Sequence, residues 1–182
     1  MGGRAESVGV EAVNDKALAA RMLGAAISYH DDAEFLKQST ESGGDGRIQL
    51  QILSIEIVLK CVRLLDVGVR NTRKGGHDYA SIWAELSPTT QSFVLSAANE
   101  RAQTTLDTRS VASILSDLQR VFELARYPYD LLANESEVAI FKRGREWEAV
   151  GSPLDKADFR FHPEEMMTLF HGLRTWAEDR LS

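Results

Sequence analysis

The stretch Ile48 to Val67, IQLQILSIEIVLKCVRLLDV, decides the fold of this chain. Its β-branched residues invite a strand, but a run of about twenty residues free of glycine and proline is too long for one, since strands usually hold ~3–10 residues. Gln49, Glu56, Lys60 and Arg63 recur at helical spacing on one narrow face, and nearly everything else in the stretch is apolar. The pattern predicts a central helix buried almost all round. Glu56 and Lys60 stand four residues apart in the favourable order, a pair that contributes roughly 0.3 kcal/mol on an exposed helix face.

Upstream, Leu18, Met22, Ala25, Tyr29, Ala33 and Leu36 recur at steps of three and four, which predicts a long helix with Asn14 as its N-cap and residues 1–13 frayed. The polar run Ser39 to Gly46 ends it. Downstream, Gly68 is a natural stop for the central helix. Asp78 caps a short helix bearing Ile82, Trp83 and Leu86, and Ser87-Pro88 opens another that buries Phe93, Val94, Ala97 and Ala98. A further stripe comprises Val111, Ile114, Leu115, Leu118, Val121, Phe122 and Ala125, with Tyr127-Pro128 as its end. Around Lys142-Arg143-Gly144-Arg145, residues 137–150 read as a small hairpin insertion. Pro163 begins a last helix, with Glu164 and Glu165 in its first turn and Met166, Phe170, Leu173 and Ala177 on its apolar face. The whole reads as one all-α domain over 1–182, an up-and-down bundle of four to five helices.

Composition supports a self-sufficient core. At 182 residues, 43% of them hydrophobic and 26% charged, the chain suffices for one domain that buries roughly 70% of its unfolded surface. The single cysteine, Cys61, lies inside the apolar run and reads as a buried small hydrophobe. No signal peptide or ~20-residue apolar span is evident, so the expectation is a cytoplasmic protein without membrane contact. A net charge of −6 excludes a basic footprint spread over the whole surface but leaves room for a local one.

Several chemistries lack their residues. None of the four histidines has a glutamate three positions before it, and no HExxH, GxxxxGK[ST] or GxSxG pattern occurs. One cysteine excludes a cysteine-rich zinc site. No metal and no cofactor are therefore expected. His30 and His171 stand singly on helices and read as surface or interface residues, while Trp83 and Trp176 read as core or interface anchors.

The concentrated basic segment is Val69 to Asp78, VRNTRKGGHD. It reads either as a solvated connection or as an anion or RNA contact through Arg70, Arg73, Lys74 and His77. Arginine offers phosphate a planar fork, lysine a point charge, and histidine a proton donor or acceptor near neutral pH.

Glu56, Leu59 and Lys60 in an apolar helix, followed by a glycine-bearing loop and then His77-Asp78-Tyr79 with Ile82, Trp83 and Leu86, resemble the HEPN superfamily. Arg126-Tyr127-Pro128 is similar to a recurring segment there, and the resemblance spans roughly Leu18 to Pro128. It implies a four- or five-helix bundle, commonly a homodimer, of the kind found in toxin and antitoxin pairs, phage defence and RNA processing. A small nucleotidyltransferase-like protein is the partner it suggests. Many members are metal-independent endoribonucleases whose arginine and histidine, with roughly four to six residues between them, meet at the dimer interface.

Here the one such spacing is Arg70 with His77, six residues between them. These two are the candidate catalytic pair, though they fall between the second and third helices rather than near the later helix pair, and Arg126 has no histidine at that distance beyond it. The leading expectation is therefore a non-catalytic HEPN-like bundle that binds a partner protein or nucleic acid in a defence or regulatory system. An endoribonuclease using Arg70 and His77, and a dimerisation module without ligand, are the alternatives.

Overall fold

A computed structural model describes residues 5–38, 44–69, 77–100, 102, 105–125, 133–153, 157 and 160–182. Arg70, Arg73, Lys74 and the Arg126-Tyr127-Pro128 segment lie outside the described residues. The described part is all-helical: α1 Ala5–Gln38, α2 Gly44–Val67, α3 Tyr79–Glu85, α4 Pro88–Asn99, α5 Thr108–Ala125, α6 Glu137–Ala149 and α7 Pro163–Leu181. Seven helices thus stand among the described residues, all-α as the sequence suggests. None is long and apolar enough, among the described residues, to cross a membrane.

The central helix is as the apolar run requires. Ile52, Ile55, Val58, Leu59, Cys61 and Val62 are fully buried. Cys61 donates to the Ala19 carbonyl at 3.3 Å, and burial pushes its thiol up to about 12, which leaves it protonated and inert. Helix α1 packs along α2 more extensively than any other pair of elements, and it does so through small residues. Ala19, Leu23, Ala26 and Ala33 are its buried line, and the missing side-chain bulk lets the two axes approach closely. Of the expected stripe, Ala33 is on that line, while Leu18 and Met22 are only partly buried. Because the helix begins at Ala5, Asn14 lies within it and not at its start.

The local stop and start signals act where the sequence places them. Gly68 sits at φ +70°, the left-handed conformation that ends α2, and its N–H bonds the Leu64 carbonyl at 3.1 Å. Asp78 accepts from the Ser81 N–H at 2.9 Å and caps α3, while the Ser87 hydroxyl accepts from the Thr90 N–H at 3.3 Å and caps α4 with Pro88 behind it. Helix α5 has a cap the stripe did not disclose, since Asp107 accepts from the N–H groups of Arg109 and Ser110, both at 2.8 Å.

Helices α4 and α7 form the second intimate pair, with Gly172 at their crossing. A methyl group built there would overlap the Val94 carbonyl oxygen and lie 2.9 Å from Ala98 Cβ, so glycine is what permits the approach. That crossing also sets the face of α4. Thr90, Val94, Ala97 and Ala98 are turned in, and Phe93, expected in the core, is 40% exposed. Phe170, Trp176 and Trp83 are buried in this chain's own core.

Residues 137–150 form α6 and not a hairpin. The Ser136 hydroxyl accepts from the Ala139 N–H, Glu137 stands in the first turn, and Gly151 at φ +86° follows the end. Gly144, read as a turn, lies in mid-helix. Helix α6 buries no residue completely, and Val138 and Phe141 are exposed. Trp147 closes its C-terminal turn by donating to the Pro153 carbonyl at 3.0 Å.

Candidate functional site

Of the residues expected to form the site, His77 is described. It stands just before α3, at the far end of the basic segment, with its side chain half exposed. What holds it comes from α2. Its Nδ1 lies 3.1 Å from Glu56 Oε2, and the same oxygen accepts from the Tyr79 hydroxyl at 2.7 Å. Lys60 donates to the other oxygen, Oε1. The His77 ring rests against Phe122 of α5, with centroids 5.7 Å apart.

Glu56 is therefore no surface partner of Lys60. It is 5% exposed, and it gathers an ammonium, a phenol and an imidazole. Burial by itself would raise its pKa, but the hydrogen bonds from Lys60 and Tyr79 and the nearby charges of Lys60 and His77 outweigh that and hold the carboxyl below its ordinary value. It is ionised near neutral pH. An ionised carboxylate only accepts, so the proton in the 3.1 Å contact belongs to His77 Nδ1.

The neighbours extend this polar seam. Arg63, one turn beyond Lys60, pairs with Glu85 at 2.6 Å and ties α2 to the end of α3. Asp78, next to His77, is held below its ordinary value by the hydroxyl and N–H of Ser81. Of the narrow polar face read from Gln49, Glu56, Lys60 and Arg63, Glu56 and Arg63 bond α3, and Lys60 keeps only 11% of its side chain exposed.

The sequence pattern identified Glu56 and Tyr79 as markers of resemblance and missed their contact. A signal was available: a lone carboxylate in a helix apolar on nearly every side needs a partner when buried. His30 and His171, read singly as surface or interface residues, line one cleft with Arg174. Among the described residues, no group of three or more His, Cys, Asp or Glu side chains is placed to hold a metal ion.

Compared with known protein families, curated proteins and solved structures, the chain finds no match.

Proposed function

We propose that this chain is a non-catalytic, HEPN-like helical bundle that binds a partner, nucleic acid in the first instance, through the segment from Arg70 to His77. In this reading α1, α2, α4, α5 and α7 are the five-helix up-and-down bundle, with α3 and α6 as additions. The observation that carries it is the bond between His77 Nδ1 and buried Glu56, 3.1 Å long. Glu56 also receives Lys60 and Tyr79, so the imidazole is fastened to the core and fixes one end of the basic segment. Gly68, bonded back to Leu64, fixes the other. Arg70, Arg73 and Lys74 lie in the sequence between those two points, and cations of this kind suit phosphate.

The wider reading includes a homodimer, a nucleotidyltransferase-like partner and a place in a defence or regulatory system. These rest on the HEPN resemblance.

One feature favours the runner-up, an endoribonuclease using Arg70 and His77. A carboxylate on Nδ1 and a half-exposed ring are what a general acid or base requires. The test is RNA incubated with the purified protein in EDTA across a salt series. The binding reading expects intact RNA and an affinity that falls with salt at a log-log slope of roughly 0.7 per phosphate contact. It also expects Arg73→Ala to flatten that slope. Cleavage abolished by both Arg70→Ala and His77→Ala would replace it with the nuclease. Absence of both binding and cleavage would leave a protein partner or a dimerisation module without ligand.

A further inference from the structure

On the side of the bundle where α1, α4 and α7 meet, a cleft of about 280 Å³ opens, near the small end of the range of ligand pockets, roughly 300–1,000 Å³. Ala98, Met167 and Phe170 give it an apolar wall. The Phe170 ring is buried and carries His30 stacked on it, centroids 4.2 Å apart and planes within 11°.

Three polar groups at this cleft have no hydrogen-bond partner among the described residues: the ring nitrogens of His30, the Thr168 hydroxyl, and the two Nη groups of Arg174. Arg174 is anchored all the same, because its Nε donates to Glu178 at 2.7 Å, one turn further along α7. That bond holds the guanidinium through Nε and leaves its outer edge, the fork that grips a carboxylate or phosphate, without a bond to any described residue. Burial, with help from the Arg174 charge, lowers the His30 pKa against the raising effect of Glu34 and Asp31, so the ring is neutral near pH 7. Glu34 is itself engaged by Gln51 at 3.2 Å and Lys37 at 3.7 Å.

We propose that this cleft binds a small organic anion, its carboxylate or phosphate held by Arg174 and Thr168 and its apolar body seated against Ala98 and Met167 beside His30. This is separate from the basic segment and does not depend on how that segment acts.

The test is an NMR titration that follows the His30 imidazole and Met167 methyl resonances. Four probes separate the two features of the site: benzoate and phenyl phosphate carry an apolar ring, while acetate and inorganic phosphate do not. Saturable shifts are expected with the ring-bearing anions, and weaker ones with the bare anions. Arg174→Ala should weaken the better probe roughly tenfold or more, the loss expected for a charge-assisted hydrogen bond worth ~1.5–3 kcal/mol. Arg174→Lys, which keeps the charge without the fork, should fall between. No saturable shift with either ring-bearing anion, equal binding of bare and ring-bearing anions, or unchanged binding in Arg174→Ala would each overturn the proposal.

Discussion

Two carboxylates on the same helix, Glu56 and Asp66, each collect three hydrogen bonds, and their partners differ in kind. Asp66 accepts from the Ser87 N–H at 2.7 Å, the Ser87 hydroxyl at 2.9 Å and the Thr90 hydroxyl at 2.8 Å. All three are neutral groups at the start of α4, so Asp66 sets where that helix begins. Glu56 collects Lys60, Tyr79 and His77, all of them ionisable, and one of them half exposed beside the basic segment. The contrast teaches that a count of hydrogen bonds does not separate a brace from a site. Titratable partners and access to solvent do.

Removing the carboxylate should therefore cost most at Glu56. Glu56→Ala leaves the Lys60 ammonium buried without its counter-charge, a situation that costs roughly 3–5 kcal/mol, and urea unfolding should show it. A loss below about 1 kcal/mol would mean that Lys60 reaches water easily and that Glu56 is no hub.

Acid should reproduce part of that loss. The folded-state pKa of Glu56 lies below its ordinary 4.5, so its contribution is fully present above that value and is lost as pH falls through the folded pKa. The stability gap between the native chain and Glu56→Gln should narrow below pH 4.5. His30 adds a separate slope of the same sign, because its lowered pKa costs stability as pH falls below 6.5.

Asp66→Ala should be milder, about 2 kcal/mol, since the groups it abandons, the Ser87 N–H and the Ser87 and Thr90 hydroxyls, are neutral. Urea midpoints for the two alanine variants compare them directly, and an equal or larger loss at Asp66 would reverse the ranking. Smallest is Tyr79→Phe, which removes one of three donors to Glu56 and should lower stability by about 1 kcal/mol. Thermal melts at neutral pH would measure it, and no shift at all would show that the 2.7 Å contact contributes nothing net.

The same contrast explains what the sequence could disclose. Helix α2, the Gly68 stop, the Asp78 and Ser87-Pro88 caps and the Pro163 start are local: each signal and its effect lie within a turn or two. Asp66, too, acts at an end that Ser87-Pro88 already announced. The polar face of α2 was legible as a face, but its burial depends on α3 and α5 folding over it, and spacing carries no such information. Phe93 failed for a related reason, because the face α4 buries is chosen by the Gly172 crossing far along the chain. Residues 137–150 misled in the opposite way: apolar clusters around a central glycine suggested two strands, while Ser136 and the Gly151 stop favour one helix. The cleft lined by His30 and Arg174 was invisible because these residues come together only in the tertiary structure.

The central claim is that Glu56 serves the basic segment by holding His77. A double-mutant cycle of Glu56→Gln and His77→Ala, read as RNA affinity in EDTA at fixed salt, tests it most directly. If Glu56 acts through His77, each single variant should weaken binding several-fold, and the double variant should bind no more weakly than His77→Ala alone. Additive losses, or a His77→Ala variant that binds like the native chain, would contradict it.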